Sequence, residues 1–281
     1  MRLGPPHTGL LDTGLLDTVR DAGETGSPAT NGRAVTTSDR ESVPYRFARG
    51  VLRPFLIATT KRDWQGQEYV PRTGGCVLAT NHLSHFDPLT TAHFVNDSGR
   101  APRFLAKAEI FDVPFVGSIV AGAGQIPVER ATRDAAQAFV HAVEAVQQGE
   151  CIVIYPEGTL TRDADLWPMT GKTGAARIAL TTDCPVIPVA QWGPQHVLSP
   201  YGKRLRLIPR KTIHMHAGPP VDLTDLRDQP ISAEVLRDAT TRIINAITHL
   251  LAQIRGETPP EQRFDHRQVP RARPSDEGAS A

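Results

Sequence analysis

The run Asn81-His82-Leu83-Ser84-His85-Phe86-Asp87-Pro88 holds the residue types that proton-transfer chemistry needs. A neutral imidazole accepts a proton near neutral pH. A carboxylate bonded to its other nitrogen fixes the tautomer and stabilises the imidazolium that forms. On one continuous helix His82 and Asp87 would point about 140° apart, so a single helix cannot bring them together. They meet if His82 lies in a loop and Asp87 in the first turn of the helix that follows. Two local patterns put a helix start there: Ser84 and Asp87 have capping-box spacing, and Asp87-Pro88 alternatively reads as N-cap and N1. Either one sets a carboxylate at the positive end of a helix, which favours its ionised form. No protein nucleophile accompanies the pair, so the nucleophile would be a hydroxyl of the substrate. A metal site competes for the same residues, because His82, His85 and Asp87 are all ligand types. Their order, His-x-x-His-x-Asp, departs from the usual helical i, i+4 pair, and no Cys or His cluster follows.

Two further clusters carry charge at strand ends. In Gly124-Gln125-Ile126-Pro127-Val128-Glu129-Arg130 an apolar strand ends in Arg130, whose guanidinium can grip a phosphate with two hydrogen bonds; a strand-end arginine in water is the plainer reading. The run Tyr155-Pro156-Glu157-Gly158-Thr159-Leu160-Thr161-Arg162 follows the apolar segment Cys151–Ile154. It therefore falls beyond the carboxyl end of a strand, where α/β sheets take ligands. Pro156 and Gly158 would shape the backbone so that Glu157 and nearby amides face a substrate, although the run also reads as a simple turn. Gly171-Lys172-Thr173 ends like a phosphate-binding P-loop, but that loop needs glycine at position 166, where Leu166 stands, so the nucleotide reading fails.

The elements that position these residues alternate along the chain. Strand patterns cover Cys76–Ala79, Arg103–Ala106, Gln125–Val128, Cys151–Tyr155, Val186–Ala190 and Leu205–His216. Between them, Ala136, Phe139, Val140, Val143 and Val146 recur at helical spacing within Asp134–Gln148, with Gly149 as the stop. Lys172–Thr182 predicts a shorter helix. Ser232 opens a long one with the stripe Leu236, Ala239, Ile243, Ile247, Leu250 and Ile254. The alternation predicts an α/β fold: a mixed, partly parallel sheet covered by helices.

Residues 1–42 and 256–281, rich in Gly, Ser, Thr, Pro and charge, read as disordered tails flanking an amphipathic segment at 43–62 and a main domain at 63–255. The segment Pro44–Arg62 carries Arg46, Arg49, Arg53, Lys61 and Arg62 with no acid until Asp63, interleaved with Phe47, Val51, Leu52, Phe55, Leu56 and Ile57. Such a helix suits an anionic lipid interface; it equally suits a helix docked on the core with a solvated basic face, and Pro54 would kink it in both cases. The net charge of +1 gives no overall field for nucleic acid. No run is long and apolar enough to predict a transmembrane helix, and no secretory leader is visible. The three cysteines, Cys76, Cys151 and Cys184, form no C-x-x-C pair and suit a reducing compartment. The expected location is the cytoplasmic face of the cell membrane, as a peripheral protein.

Taken in order, the Asn-His-x-Ser-x-x-Asp-Pro run, the strand ending in Arg130, the Pro-Glu-Gly-Thr run and Pro185-Val186-Ile187-Pro188-Val189 resemble the glycerolipid acyltransferase family, over roughly residues 45 to 220. The resemblance implies acyl transfer from a thioester, acyl-CoA or acyl carrier protein, to the free hydroxyl of 1-acylglycerol-3-phosphate at a membrane surface, with no metal and no bound cofactor. It implies His82 as general base and Asp87 as its partner, Arg130 as an anchor for the acceptor phosphate, Glu157, Gly158 and Thr159 as the acceptor-side loop, and Lys107 near the phosphate. One position departs from the family: Leu160 stands where an arginine is common, and Arg162, two residues on, is the nearby cation that could replace it. The departure keeps open a different lyso-lipid or glycolipid acceptor. A lipid-binding scaffold without activity and a metallohydrolase are the readings from other classes; four intact polar residues speak against the first, and sensitivity to a chelator would mark the second.

Overall fold

A computed structural model of the chain describes residues 43–110, 112, 121, 125–128 and 132–265. Among the described residues seven strands form one sheet: β1 Thr60–Gln65, β2 Cys76–Thr80, β3 Pro102–Lys107, β4 Ile126–Val128, β5 Cys151–Ile154, β6 Val186–Trp192 and β7 Lys211–Ala217. The order across the sheet is β1-β7-β6-β2-β5-β3-β4. Pairing is parallel from β6 through β4 and between β1 and β7, and antiparallel between β6 and β7. The expected mixed, partly parallel sheet is therefore present.

Helices cover both faces: α1 Val43–Thr59, α2 Asp87–Asp97, α3 Thr132–Gln147, α4 Gly174–Thr182, α5 Pro194–Val197, α6 Thr224–Arg227 and α7 Ala233–Arg255. The two-residue period of a strand sorts the core into two layers. Val77, Ala79, Ile152 and Val186 face α3, α4 and α7, where Ala142, Val143, Ile178, Ala239 and Ile243 meet them. Cys76, Leu78, Val153, Ile187 and Met215 face the other way, toward Phe94, Val95 and Leu56. Strands buried on both faces explain why these segments read as continuous apolar runs. Ser232 caps α7 as its sequence position suggests, its hydroxyl accepting from the Val235 amide at 3.2 Å.

Three expectations change. The strand expected over Leu205–His216 begins only at Lys211, because Pro209 has no N–H to give a ladder and residues 201–210 form an irregular loop. The basic segment does not stay helical to Arg62: α1 ends at Thr59, and Lys61 and Arg62 lie on β1, a strand that the sequence patterns missed. Arg53 and Arg62 are moreover ion-paired with Asp97 of α2, at 3.3 and 2.8 Å, so two of the five expected lipid-facing cations are engaged by the body of the protein.

Candidate active site

β2 and β5 run side by side in register, Cys76 opposite Cys151 and Ala79 opposite Ile154. The loops that leave their carboxyl ends, 81–86 and 155–173, are therefore neighbours although they lie far apart in sequence. β6 flanks β2 on the other side, and there Asn81 continues the ladder with its side chain. Its amide group donates to the Gln191 carbonyl at 3.1 Å and accepts from the Gln191 amide at 2.8 Å, while the Gln191 side chain donates to the Asn81 carbonyl at 2.7 Å. The last residue before His82 is thereby fixed to the sheet.

His82 and Asp87 meet. The imidazole Nδ1 lies 2.8 Å from Asp87 Oδ2, and the same oxygen accepts from the Leu83 and Ser84 amides at 2.5 and 2.8 Å. Ser84 and Asp87 complete half of the expected capping box, since the Asp87 side chain reaches back to the Ser84 N–H. The Ser84 hydroxyl accepts from Phe86 N at 3.0 Å instead of from Asp87 N, and α2 begins at Asp87 with Phe86 as its N-cap. Asp87 is 0% exposed and the imidazole 16% exposed, so the carboxylate is sealed in while the ring keeps an edge toward solvent. Burial pushes the Asp87 carboxyl above its ordinary pKa, and the His82, Leu83 and Ser84 donors pull against that shift. With Asp87 ionised, the proton of the neutral ring sits on Nδ1, and Nε2 is left with its lone pair as the base.

The ring plane has a second constraint. Tyr155 stacks on His82 with ring centroids 4.1 Å apart and planes 23° from parallel, and its hydroxyl lies 3.2 Å from Thr91 Oγ1 on α2. Burial and the charge of Asp87 hold the Tyr155 phenol well above its ordinary pKa, so it stays neutral beside the imidazole. Nothing in the sequence marked Tyr155 except its place at the end of β5.

Glu157 departs from the expected role of facing the acceptor. Its carboxyl group is buried, and its two oxygens accept from the backbone amides of His82 and Met169, each at 3.0 Å. Burial raises its pKa to about 8, against the opposing pull of those two amides. It is a clasp between the two loops, and Thr161 N tightens it by donating to the His82 carbonyl at 2.8 Å. Gly158 and Thr159 sit on this loop beside the clasp. Gly158 adopts φ +70°, and a Cβ there would come within 2.8 Å of the Lys172 ammonium. Lys172, which resembled part of a P-loop in sequence, thus lays its cation across the Pro-Glu-Gly-Thr loop, and its own amide donates to the Pro156 carbonyl at 2.7 Å. Leu160 is buried, whereas Arg162 is exposed at the end of the loop. Lys107 ends β3 opposite Val128 of β4, at the same carboxyl edge as the dyad. Arg130 lies outside the described residues.

His85 is exposed and takes no part in the dyad. Among the described residues one metal-capable group of three gathers, and it is elsewhere: Asp63, His214 and His216 on the β1–β7 pair, with ligand atoms within 4.8 Å of one another.

The profile of the Acyltransferase family matches residues 61–192, which span both loops and the dyad. The matched segment, a little under half of the chain, is similar to that family. It is 33% identical over 135 residues to a chloroplastic 1-acyl-sn-glycerol-3-phosphate acyltransferase of Brassica napus, a match covering 47% of this chain and 38% of that protein. It is 26% identical over 185 residues to the 1-acyl-sn-glycerol-3-phosphate acyltransferase of Borreliella burgdorferi, covering 65% of this chain and 71% of the relative. The chain thus spans well under half of the first relative and somewhat over two thirds of the second. Its fold is that of the crystal structure of the 1-acyl-sn-glycerophosphate acyltransferase PlsC from Thermotoga maritima, with a TM-score of 0.59 at 22% identity over 76% of this chain and 81% of the other.

Proposed function

We propose that this acyltransferase moves a fatty acyl group from a thioester to the free hydroxyl of 1-acylglycerol-3-phosphate, giving phosphatidic acid. The observation that carries the reading is the 2.8 Å contact between His82 Nδ1 and a wholly buried Asp87, beside a loop that bears a lysine cation. His82 Nε2 takes the hydroxyl proton as the oxygen attacks the thioester carbonyl. The tetrahedral intermediate collapses, the C–S bond breaks, and the leaving thiolate takes the proton from the imidazolium. The products are one new ester and one free thiol. Proton transfer of this kind contributes about 10² to 10⁴-fold, and anchoring the acceptor phosphate adds positioning. Arg130, Arg162, Lys107 and Lys172 are the cations proposed for that anchor. Acyl-CoA and acyl carrier protein are both proposed donors.

A membrane surface is the proposed workplace. In α1, Tyr45 and Leu56 are buried against the body, while Val43, Phe47, Val51 and Phe55, spaced four apart, form an exposed apolar stripe. Among the described residues no helix is long and apolar enough to cross a bilayer. Contact with the lipid surface therefore falls to such a stripe, flanked by Arg46.

The buried Leu160 favours a second reading, another lyso-lipid or a glycolipid as acceptor, because the usual arginine is not there to bind a phosphate. Incubating the purified chain with palmitoyl-CoA and a panel of acceptors, with the released thiol quantified, decides between them. Thiol release with lysophosphatidate alone supports phosphatidic acid formation; release only with unphosphorylated acceptors overturns it.

A further inference from the structure

We infer that the loop from Leu198 to Arg210, between α5 and β7, is a second lipid-contact element that dips into an anionic membrane surface beside the active-site mouth. It carries Lys203, Arg204, Arg206 and Arg210, with Lys211 opening β7, and no acid occurs anywhere between Asp183 and Asp222. Leu198 and Leu207 pack against the core, but three of its apolar residues turn outward: Ile208 is 92% exposed, and Tyr201 and Leu205 are exposed with it. An aliphatic side chain held in water at a loop tip is unfavourable unless something apolar receives it, and the surrounding cations select a surface of anionic headgroups.

The loop is also built into the two regions that matter. At its start the Leu198 carbonyl accepts from the Ser84 hydroxyl of the catalytic loop at 2.6 Å, and the Tyr201 hydroxyl lies 3.3 Å from the Thr161 carbonyl. Its base is pinned where Arg206 N donates to the Val197 carbonyl at 2.8 Å. At its far end the Arg210 guanidinium donates to the carbonyls of Ile57 and Thr60, where α1 passes into β1. A bilayer that takes up Ile208 therefore lies beside both the end of α1 and the loop holding His82. The inference rests on the reading that the enzyme works at a membrane, but it assigns that contact to residues outside the amphipathic helix.

Sedimentation of the full chain with vesicles tests it, using phosphatidylcholine alone and phosphatidylcholine with one quarter phosphatidylglycerol. Wild type should bind the anionic vesicles more tightly. Ile208→Glu should weaken that binding about tenfold or more, and the double variant Lys203→Glu, Arg204→Glu should weaken it by about fivefold or more per cation. Both sites are on the surface, and unchanged thermal melts would show that folding is intact. The three native cysteines are buried, so an Ile208→Cys variant can be labelled at one place with an environment-sensitive dye, whose emission should shift to the blue on anionic vesicles. Wild-type binding by both charge variants, with no dye shift, overturns the inference. So does a pattern in which the double variant loses transfer only from acyl carrier protein while vesicle binding holds, since the basic loop would then be a carrier dock. A parallel Phe47→Glu, Val51→Glu variant reports on α1 alone, and thiol release in detergent reports on the chemistry alone, so the three readings fail separately.

Discussion

Two histidine–aspartate pairs in this protein have nearly the same contact distance and different surroundings. His82 Nδ1 lies 2.8 Å from Asp87 Oδ2, and His214 Nδ1 lies 2.7 Å from Asp63 Oδ2. Asp87 is sealed at the start of α2, and two backbone amides fix the oxygen that holds the ring. Asp63 is 37% exposed on an edge strand and His214 32% exposed on its neighbour, with the His216 ring 3.5 Å from the same carboxylate. Burial nudges the Asp63 carboxyl upward, but the hydrogen bonds from His214 and Gln65 and the charge of both imidazoles outweigh it and hold the carboxyl below its usual range. Contact distance alone does not make a catalytic pair. A carboxylate held rigidly away from water, with a ring that keeps an edge toward solvent, has a directed effect on that ring; an exposed pair ties two strands together and is screened.

Substitutions that treat the two pairs alike sharpen the contrast. His82→Ala should lower turnover by about 10² to 10⁴-fold with the melting temperature little changed, as thiol release and calorimetry would record; wild-type turnover would end the assignment. Asp87→Asn keeps an oxygen for the Nδ1 proton and removes the charge that stabilises the imidazolium, and turnover should fall about 10²-fold or more. The equivalent change at the other pair, His214→Ala, should leave turnover within about twofold and cost at most about 1 kcal/mol of stability. What the Asp63 pair contributes should be present above the ordinary aspartate pKa and be lost as the pH falls through the depressed value, because a lowered carboxyl pKa favours the folded state only while the group is ionised.

Glu157 provides a test of the clasp beneath the first pair. Its folded pKa of about 8 lies above the ordinary 4.5, so its contribution is fully present below about pH 4.5 and is lost as the pH rises toward 8. Glu157→Gln does not titrate. The advantage of wild type over this variant in melting temperature should therefore shrink steadily between those pH values, and a constant gap would show that the carboxyl is not held protonated. A smaller effect than at His82 or Asp87 is expected at the Lys172 cation. Lys172→Gln should raise KM for the phosphorylated acceptor several-fold while leaving kcat near wild type, and an equal loss with an unphosphorylated acceptor would remove Lys172 from phosphate binding.

Much of the site was legible because its signals are local. Asp87-Pro88 marks a helix start whatever lies around it, and the apolar period of two or 3.6 marks β2, β5, α3 and α7. The misreadings share another cause. Glu157 read as a substrate contact because a loop beyond a strand end is where ligands bind, and nothing in Pro156 or Gly158 reveals that the His82 amide is waiting for that carboxylate. Arg53 and Arg62 read as lipid-facing because their partner Asp97 lies at the end of α2, which the patterns did not delineate. The polar residues Asn81 and Gln191, buried at the ends of apolar strands, carried a usable signal, since a polar side chain at such a position must find a partner.

Sequence patterns alone gave the central strands and the long helices α3 and α7, the placing of a base and a carboxylate on either side of one helix start, and the resemblance to acyltransferases. Those depend on interactions within a few residues, or on motifs readable in order. The tertiary structure alone decided that Tyr155 stacks on the base, that Glu157 joins two loops instead of meeting substrate, that Lys172 lies over Gly158, and that the basic loop before β7 is tied to both α1 and the catalytic loop. Each of these joins segments distant along the chain. The order and register of parallel strands, a property of the whole sheet, brings their carboxyl ends together.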